Sequence, residues 1–409
     1  MSRPLPPLRT NLDFTPSPLK GRPGLLIRDV LQYSDVTLII PPVLVECLSC
    51  FDGGHTDLDL RQKLVSLTGD LRGGEAADHL IESLEQAGFL EDQVYAGLRE
   101  QKQRAFAEAS FRAASHAGAS YPEQREALQA DLAGYMNHDG VVAHSGEVAG
   151  LAAPHVSLEG GAACYRAAYG LLRPEHKDRT FVVLGTSHYG RPDSFGFTRK
   201  PYRTPLGETL TAPALVAELE AKGGPAVVRE DYCHAVEHSI EFQVLFLQHV
   251  LGPEIRILPI LCGSYARSLQ LGGKPEADDG VARFLGTIGE MAAREGSRLM
   301  WVLGIDMAHI GGRYGDEFAA RAGSGQMLTV EARDRRRLEH IAAGDAEGFW
   351  DAVQEGQDDL HWCGASVLYT LLKARPGIRG EVLRYEQWNI DEESVVSFAA
   401  LAFRPSQGA

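Results

Sequence analysis

Four short segments of the chain each place a histidine at the end of an apolar run or at the start of a helix. Histidine is the commonest metal ligand in proteins and the side chain most easily tuned as an acid or base near neutral pH. Parallel α/β sheets collect their chemistry at the carboxyl ends of the strands, so we expect these histidines to face one crevice. The segments are Ala153-Pro154-His155, Gly185-Thr186-Ser187-His188, Glu237-His238-Ser239-Ile240-Glu241 and Asp306-Met307-Ala308-His309.

The third segment predicts a catalytic pair, His238 and Glu241. Residues at this spacing share one face of a helix. A carboxylate beside an imidazole fixes its tautomer and raises its basicity. The alternative is structural: Ser239 would cap the helix, and Glu237 and Glu241 would have no part in the chemistry.

The fourth segment bears on a metal site. His155 and His188 with the carboxylate of Asp306 would form the facial triad of non-haem iron enzymes. Two or three imidazoles, with His309 as the third, would suit zinc or copper instead. Ala308 offers no ligand atom, and a pocket without metal is the alternative. We therefore expect iron, zinc or copper at His155 and His188 together with Asp306 or His309.

Three further residues are candidates for binding a substrate. Arg203 lies on a loop flanked by glycine and proline and could pair with a substrate carboxylate, although an exposed loop arginine is the commoner case. His234 lies one helical turn before His238. Cys363 precedes Gly364 at a helix start, where the helix N-terminus lowers a thiol pKa, or it simply packs as a small residue.

The elements that position these residues alternate along the chain. Short apolar runs at 181–184, 255–260 and 299–303 are typical of strands buried on both faces. Helical stretches at 214–222 and 239–250 lie between them. This alternation predicts an α/β domain over 136–409 with a mostly parallel sheet.

The first quarter of the chain has a different pattern. Residues 1–23 are rich in proline and are predicted to form an extended arm. Two short strands, two helices and a strand-like wing at 89–90 predict a small winged-helix domain over 24–97. Thr56 is expected to cap the first of these two helices, and Gly73-Gly74 is expected to end it. Residues 98–135 are charged and rich in alanine, which indicates a helical linker.

Composition restricts the partners. The formal charge of −15 disfavours nucleic acid and anionic membranes, and the second winged-helix helix carries no Lys or Arg. The six cysteines are mostly far apart, so a disulfide scaffold is not expected, and Cys47 and Cys50 fit buried structural positions. No signal peptide and no transmembrane run is found, so we expect a cytoplasmic protein.

In their order, the histidine segments resemble the Memo family. Further matches lie at 202–207, 257–261 and 362–364, and the resemblance covers about residues 143–404. The family includes the bacterial AmmeMemoRadiSam system protein B and is similar in fold to class III extradiol dioxygenases. The resemblance implies that His155 and His188 are metal-site residues and that His238 takes the place of the dioxygenase base. Typical animal members have cysteine where this chain has Ala308.

A second resemblance concerns the winged-helix region. Phe51-Asp52-Gly53, the two following helices and residues 88–90 resemble PqqD-like domains, which bind leader peptides. The resemblance implies peptide docking on this domain. A packing or oligomerisation module is the alternative.

Two classes of function follow from these expectations. The first is a metal-dependent, dioxygenase-like oxidoreductase with a histidine-lined crevice that acts on a small molecule or a peptide. The second is a non-catalytic peptide-binding protein or an accessory protein of a radical-enzyme or peptide-modification pathway. The loss of a ligand at Ala308 favours the second class, and the histidines that are present favour the first.

Overall fold

Two units make up the chain in this computed structural model, Met1–Ala109 and Ser110–Ala409. The structure describes residues 2–19, 21–70, 74–137 and 147–406. The predicted linker, 98–135, includes the end of the first unit and the beginning of the second. Within the described ranges, no helix combines the length and the apolar character needed to cross a bilayer.

The first unit contains a small antiparallel sheet and α-helices. The strands pair in chain order. A 3₁₀ turn, Glu46–Cys50, follows the first helix. The elements are β1 (Leu12–Pro16), β2 (Leu25–Asp29), β3 (Thr37–Ile40), α1 (Pro42–Val45), α2 (Asp57–Thr68), α3 (Gly74–Gln86) and α4 (Gln93–Glu108).

Helix α2 begins at the predicted cap. The Thr56 side chain accepts a hydrogen bond from the amide of Asp59, and the Asp59 carboxylate accepts one from the amide of Thr56. This capping box satisfies two amides that the first turn leaves unpaired. The helix ends at Gly69, where a φ of 69° favours glycine, and not at the predicted break at 73–74. Residue 73 lies outside the described residues.

The outer parts of this unit differ from the sequence expectation. Strand β1 lies in the segment predicted as an extended arm, and all five of its residues pair with β2. The predicted wing is reduced to an isolated bridge between Leu90 and Leu8. Strand β1, in the N-terminal segment, therefore joins the sheet, whereas the wing predicted at 89–90 does not.

A buried ion pair holds the N-terminal segment of this unit. The Arg9 guanidinium donates to both carboxylate oxygens of Asp29 at 3.0 and 2.9 Å, and to the carbonyl of Gly88 at 2.9 Å. Asp29 also accepts from the amides of Leu31 and Ser34 at 3.0 and 3.1 Å. Both charged side chains are 0% exposed.

The second unit is built on a large mixed sheet. Its strands are β4 (Gly150–Ala153), β5 (Thr180–Thr186), β6 (Phe195–Phe197), β7 (Arg203–Thr204), β8 (Gly207–Glu208), β9 (Leu210–Thr211), β10 (Val227–Val228), β11 (Arg256–Cys262), β12 (Leu299–Gly304), β13 (His309–Gly311), β14 (Ile378–Asn389) and β15 (Ser394–Pro405). The main order is β10-β6-β11-β5-β12-β4-β15-β13, with β14 paired to β15 and β9 to β11. The pair β7-β8 stands apart.

The centre of the sheet is parallel. Strands β11, β5, β12 and β4 run in one direction, whereas β15 lies antiparallel to β4 and to its other neighbours. Alternate residues of β5 enter two separate cores: Val182 and Leu184 face one, and Phe181 and Val183 face the other. Burial on both faces explains the apolar runs in the sequence. The predicted α/β class with a mostly parallel central sheet is confirmed.

Helices cover both faces of this sheet. One core receives residues of α7, α11, α12, α13 and α14, and the other receives residues of α5, α6 and α9. The helices are α5 (Arg125–Met136), α6 (Ala162–Tyr169), α7 (Pro213–Lys222), α8 (Cys233–Val236), α9 (Glu241–Leu251), α10 (Ala266–Leu271), α11 (Asp279–Glu295), α12 (Gln326–Ala343), α13 (Ala346–Gln354) and α14 (Ala365–Ala374).

Candidate metal centre

Three neighbouring parallel strands end at the edge of the sheet where the predicted site residues lie. His155 follows β4, His188 follows β5 and Asp306 follows β12. Because these strands are parallel and adjacent, their carboxyl ends lie together. The segment 237–240, between α8 and α9, adds His238 to the same place.

His155, His188 and His238 form the group best suited to hold a metal ion. Each pair of their rings has centroids 5.1 Å apart. One ligand atom from each imidazole lies within 4.8 Å of the other two. His155 is buried, whereas the side chains of His188 and His238 are 27% and 25% exposed. One side of the cluster is therefore open to solvent.

A buried carboxylate, Glu237, holds two of the three imidazoles. Its oxygens lie 3.1 Å from Nδ1 of His188 and 3.2 Å from Nδ1 of His238. They also accept from the amides of His188, His238 and Ser239 at 3.0, 2.8 and 3.1 Å. A carboxylate at Nδ1 leaves Nε2 as the free nitrogen of each ring.

The segment that carries Glu237 and His238 packs closely on two strand ends. The Ser239 hydroxyl donates to the carbonyl of Thr186 at 2.9 Å. A β-carbon at Gly304 would overlap the Ser239 carbonyl oxygen, and one at Gly185 would meet the side chains of Ser239 and Ile240. Glycine is needed at both positions because the segment approaches the sheet backbone so closely.

Both ring nitrogens of His155 have polar neighbours outside the histidine group. Its Nδ1 lies 3.1 Å from the carbonyl of Gly304, and its Nε2 lies 3.4 Å from Sγ of Cys363 and 3.5 Å from a carboxylate oxygen of Asp306. Burial lowers the pKa of His155 well below its usual value, and the neighbouring His188 and His238 lower it further. His155 is thus held as the neutral imidazole, which is the form that binds metals.

His188 is held in the opposite protonation state. Burial disfavours its charged form, but the Glu237 carboxylate and contacts with Cys363 outweigh burial and raise the pKa of His188 well above its usual value. The same interaction lowers the pKa of Glu237 against the effect of burial. A metal ion at this cluster would therefore have to displace a proton from His188.

Cys363 lies at the edge of the histidine group, just before α14. Burial raises the pKa of its thiol, and a hydrogen bond with His188 only partly opposes this. A cavity of about 270 Å³ opens beside Cys363 and His188. Three serine residues, Ser187, Ser264 and Ser366, are among its lining residues.

Two predicted metal ligands lie next to the histidine group and not within it. Nδ1 of His309 lies 3.0 and 3.1 Å from the carbonyls of Met307 and His361, so these carbonyls fix the ring. Asp306 accepts from the amide of His155 at 2.9 Å, and one carboxylate oxygen is thereby used to shape the loop after β4. The third member of the group is His238, which had been predicted as a base.

The predicted partner of His238 is also different. Glu241 is the first residue of α9, so the helical spacing that would bring it to His238 does not exist. Its carboxylate accepts from Arg112, Tyr121 and the amide of His116. Glu237 takes the orienting position, although residues next to each other in sequence do not face one another in a helix. The extended conformation of Glu237 after α8 makes the contact possible.

Two of the three predicted substrate contacts lie elsewhere. Arg203 is exposed and pairs with Glu208 at 2.9 Å. His234 is fully buried, and its two ring nitrogens lie 2.8 Å from the hydroxyl of Tyr202 and 3.0 Å from the carbonyl of Gly196. Both nitrogens are thus engaged. Cys363 alone of the three borders the cavity.

The family model lies within the second unit, whereas the alignment with one relative extends over nearly the whole chain. Residues 112–402 match the family model described as Memo-like protein. A MEMO1 family protein of Aquifex aeolicus is 24% identical over 382 residues, which cover 92% of this chain and 95% of the relative. One from Thermus thermophilus is 29% identical over 346 residues (81% and 94%), and one from Thermococcus kodakarensis 27% over 301 residues (70% and 97%).

Proposed function

The chain belongs to the Memo-like family, and from this premise we propose that it binds one divalent metal ion through His155, His188 and His238. The observation that carries the proposal is that one nitrogen atom from each of the three rings lies within 4.8 Å of the other two. Small rotations of the rings would bring them around one ion with bonds of about 2.0–2.1 Å.

The surroundings of the three rings support metal binding. His155 is already neutral, and Glu237 accepts from the outer nitrogens of His188 and His238. Carboxylates in this position orient histidine ligands and raise their basicity. The exposed side of the cluster leaves room for a water molecule or a substrate atom beside the three imidazoles.

The donor set favours zinc or copper over iron. Three imidazoles with one open position are typical of catalytic zinc. Iron prefers two imidazoles and a carboxylate, whereas the three groups that converge here are all imidazoles. A bound ion would supply a Lewis acid or, with copper or iron, a redox centre. Under this proposal the protein is a metal-dependent enzyme whose substrate enters the cavity beside Cys363, and with copper it would be an oxidoreductase.

The size of that cavity favours a small substrate. Its volume of about 270 Å³ lies near the lower end of the range for ligand pockets. Among its lining residues, His188 belongs to the histidine cluster and Cys363 lies at the edge of that cluster. A small molecule, or the end of a peptide, would therefore be held next to the metal.

The test is metal retention by protein purified without a histidine tag. Samples reconstituted with Zn(II), with Cu(II), and anaerobically with Fe(II) are desalted and analysed for metal. We expect about one ion per chain for at least one metal. His155→Ala and His188→Ala should each abolish stoichiometric retention and leave the circular dichroism spectrum unchanged.

His340→Ala is the control, because His340 lies on the exposed side of α12 and pairs with Asp345. This variant should retain as much metal as the wild type. The proposal fails if the wild type keeps none of the three metals, or if the His155 and His188 variants keep as much metal as the control.

A further inference from the structure

Arg112 lies outside every motif singled out from the sequence, yet it contacts the segment that holds the site. The residue is 1% exposed. Its Nε donates to the carbonyl of His234 at 2.7 Å, and its Nη2 donates to the carbonyl of Glu237 at 2.8 Å. Its Nη1 pairs with the carboxylate of Glu241. The contacts span 122, 125 and 129 residues of sequence.

These contacts bracket the segment that carries Glu237 and His238. Helix α8 ends at Val236, and the last carbonyls of a helix have no partners within it. Arg112 caps two carbonyls at this end. Helix α9 then begins at Glu241, and Arg112 also holds that residue. One guanidinium group thus fixes both ends of the turn.

We infer that Arg112 is a positioning residue that sets the Glu237 carboxylate and, through it, the imidazoles of His188 and His238. This inference extends the proposed function, and its prediction of a change in metal affinity depends on the proposed metal site. Its structural part, the placement of the two imidazoles, stands without metal.

The chemistry of arginine fits this role. Its planar fork donates in several fixed directions, whereas a lysine ammonium group is a compact charge on a flexible stem. The Arg112 guanidinium also lies 4.9 Å from the centroid of the Tyr202 ring. Ser115 and Tyr121 contribute hydroxyl groups to the same buried cluster. The cluster gives the fork one well-defined orientation.

A purely structural role is the competing explanation, and the chain offers a matched control for it. Arg9, in the first unit, is also a buried arginine with a buried carboxylate partner and a capped carbonyl. The hydrogen bonds described for Arg9 lie within the first unit. Loss of Arg9 should destabilise its own unit and leave the histidine cluster unchanged.

The experiment compares Arg112→Lys, Arg112→Met and Arg9→Met with the wild type. In the metal-free state, the ring nitrogens and Nδ1 protons of His188 and His238 are followed by NMR with ¹⁵N-labelled histidine. We expect both Arg112 variants to lose the hydrogen-bonded Nδ1–H signal of His188, and the Arg9 variant to keep it. Arg112→Lys keeps the positive charge, so it tests the fork if Arg112→Met does not fold.

The second measurement is Zn(II) affinity by chelator competition. We expect Arg112→Lys to bind Zn(II) about 10- to 100-fold more weakly than the wild type, which is the usual cost of losing a residue that orients a metal ligand. Arg9→Met should bind Zn(II) as tightly as the wild type. The inference is overturned if the His188 and His238 signals of Arg112→Lys match those of the wild type. If the wild type binds no metal, the proposed function fails, but the NMR comparison still decides the role of Arg112.

Discussion

Each of the two units contains a buried arginine–carboxylate pair, Arg9–Asp29 in the first and Arg112–Glu241 in the second, and these pairs hold different parts of the backbone. In the first unit, the carboxylate of Asp29 binds the amides of Leu31 and Ser34, which lie just after it in sequence. In the second unit, the guanidinium of Arg112 binds carbonyls more than 120 residues away. The first pair organises the loop after Asp29 and reaches one distant carbonyl, that of Gly88, whereas the second pair holds both ends of a distant turn.

The difference shows how to interpret a buried ion pair. Removing two charges from water costs several kcal/mol per ion, so burial alone is weak proof of a stabilising role. The rings beneath the guanidinium groups are similar, with Tyr95 4.1 Å from Arg9 and Tyr202 4.9 Å from Arg112. What distinguishes the pairs is the backbone that they hold, and only the second pair holds the segment with Glu237 and His238.

The largest expected effect on stability comes from breaking the pair of the first unit, Arg9 and Asp29. Asp29→Ala leaves Arg9 buried without its partner and leaves the amides of Leu31 and Ser34 unsatisfied. We expect the free energy of unfolding of the first unit to fall by about 3–5 kcal/mol, measured by urea denaturation. Zinc retention by folded protein should not change. A loss of zinc in this variant, under conditions where it is folded, would remove the contrast between the two pairs.

A smaller effect is expected when the charge of the second pair is removed. Burial acts to raise the pKa of Glu241, but Arg112 and His116 lower it overall, so the residue is ionised at neutral pH. Glu241→Gln keeps the shape and weakens the contact with Arg112, which should cost about 1.5–3 kcal/mol in urea denaturation. Because the carbonyl caps of Arg112 remain, zinc affinity should fall less than in Arg112→Lys. An equal or larger fall would assign the positioning role to Glu241.

A third buried arginine, Arg337, pairs with Asp358, and this pair should make the stability of the second unit depend on pH. Burial raises the pKa of its partner Asp358 to about 6 from 3.8, and Arg337 only partly opposes this. The folded state thus prefers protonated Asp358, and this contribution to stability is complete below about pH 4 and is lost as the pH rises through 6. Between pH 4 and 7 the wild type should lose about 1–3 kcal/mol relative to Asp358→Asn, measured by denaturation at each pH. An identical pH profile for both proteins would contradict this.

The smallest effect is expected at Ser366. Among the described residues, its Oγ is the one buried side-chain nitrogen or oxygen atom without a hydrogen-bond partner. Replacing an unpaired buried hydroxyl removes a desolvation cost and no bond, so Ser366→Ala should change stability by less than about 0.5 kcal/mol or increase it. Thr370→Val on the same helix is the control, because Thr370 bonds to Tyr265 and to a helix carbonyl and should cost about 1 kcal/mol. Thermal denaturation of both variants gives the comparison.

The sequence was most informative where the pattern is local. Apolar runs in β5, β11 and β12 reflect burial on both faces, and the ends of β4, β5 and β12 each lead to a predicted site residue. The positions of His155 and His188 follow from this arrangement alone. Thr56 was likewise recognisable as a cap, because a capping box involves residues only three apart.

The long-range contacts were not accessible in this way. The helical spacing of His238 and Glu241 suggested a pair, but α9 begins only at Glu241, and the turn before it brings Glu237 to the rings. Arg112 lies in a segment that was predicted to be a linker, and nothing in its neighbourhood indicates a partner 125 residues away. Such contacts depend on the turn between α8 and α9, whose conformation is set by tertiary packing. The winged-helix and peptide-docking assignments of the first unit stay predictions.

The close packing at Gly304 and Gly185 has a consequence for how this site could be lost in evolution. Any side chain at Gly304 would push the turn with Glu237 and His238 away from the sheet. A relative could therefore keep every histidine and still have a disabled site after one exchange of glycine for alanine. A comparison of the histidine positions alone would not detect this change. Glycine at these two positions is thus as much a condition for the close histidine cluster as the imidazoles themselves.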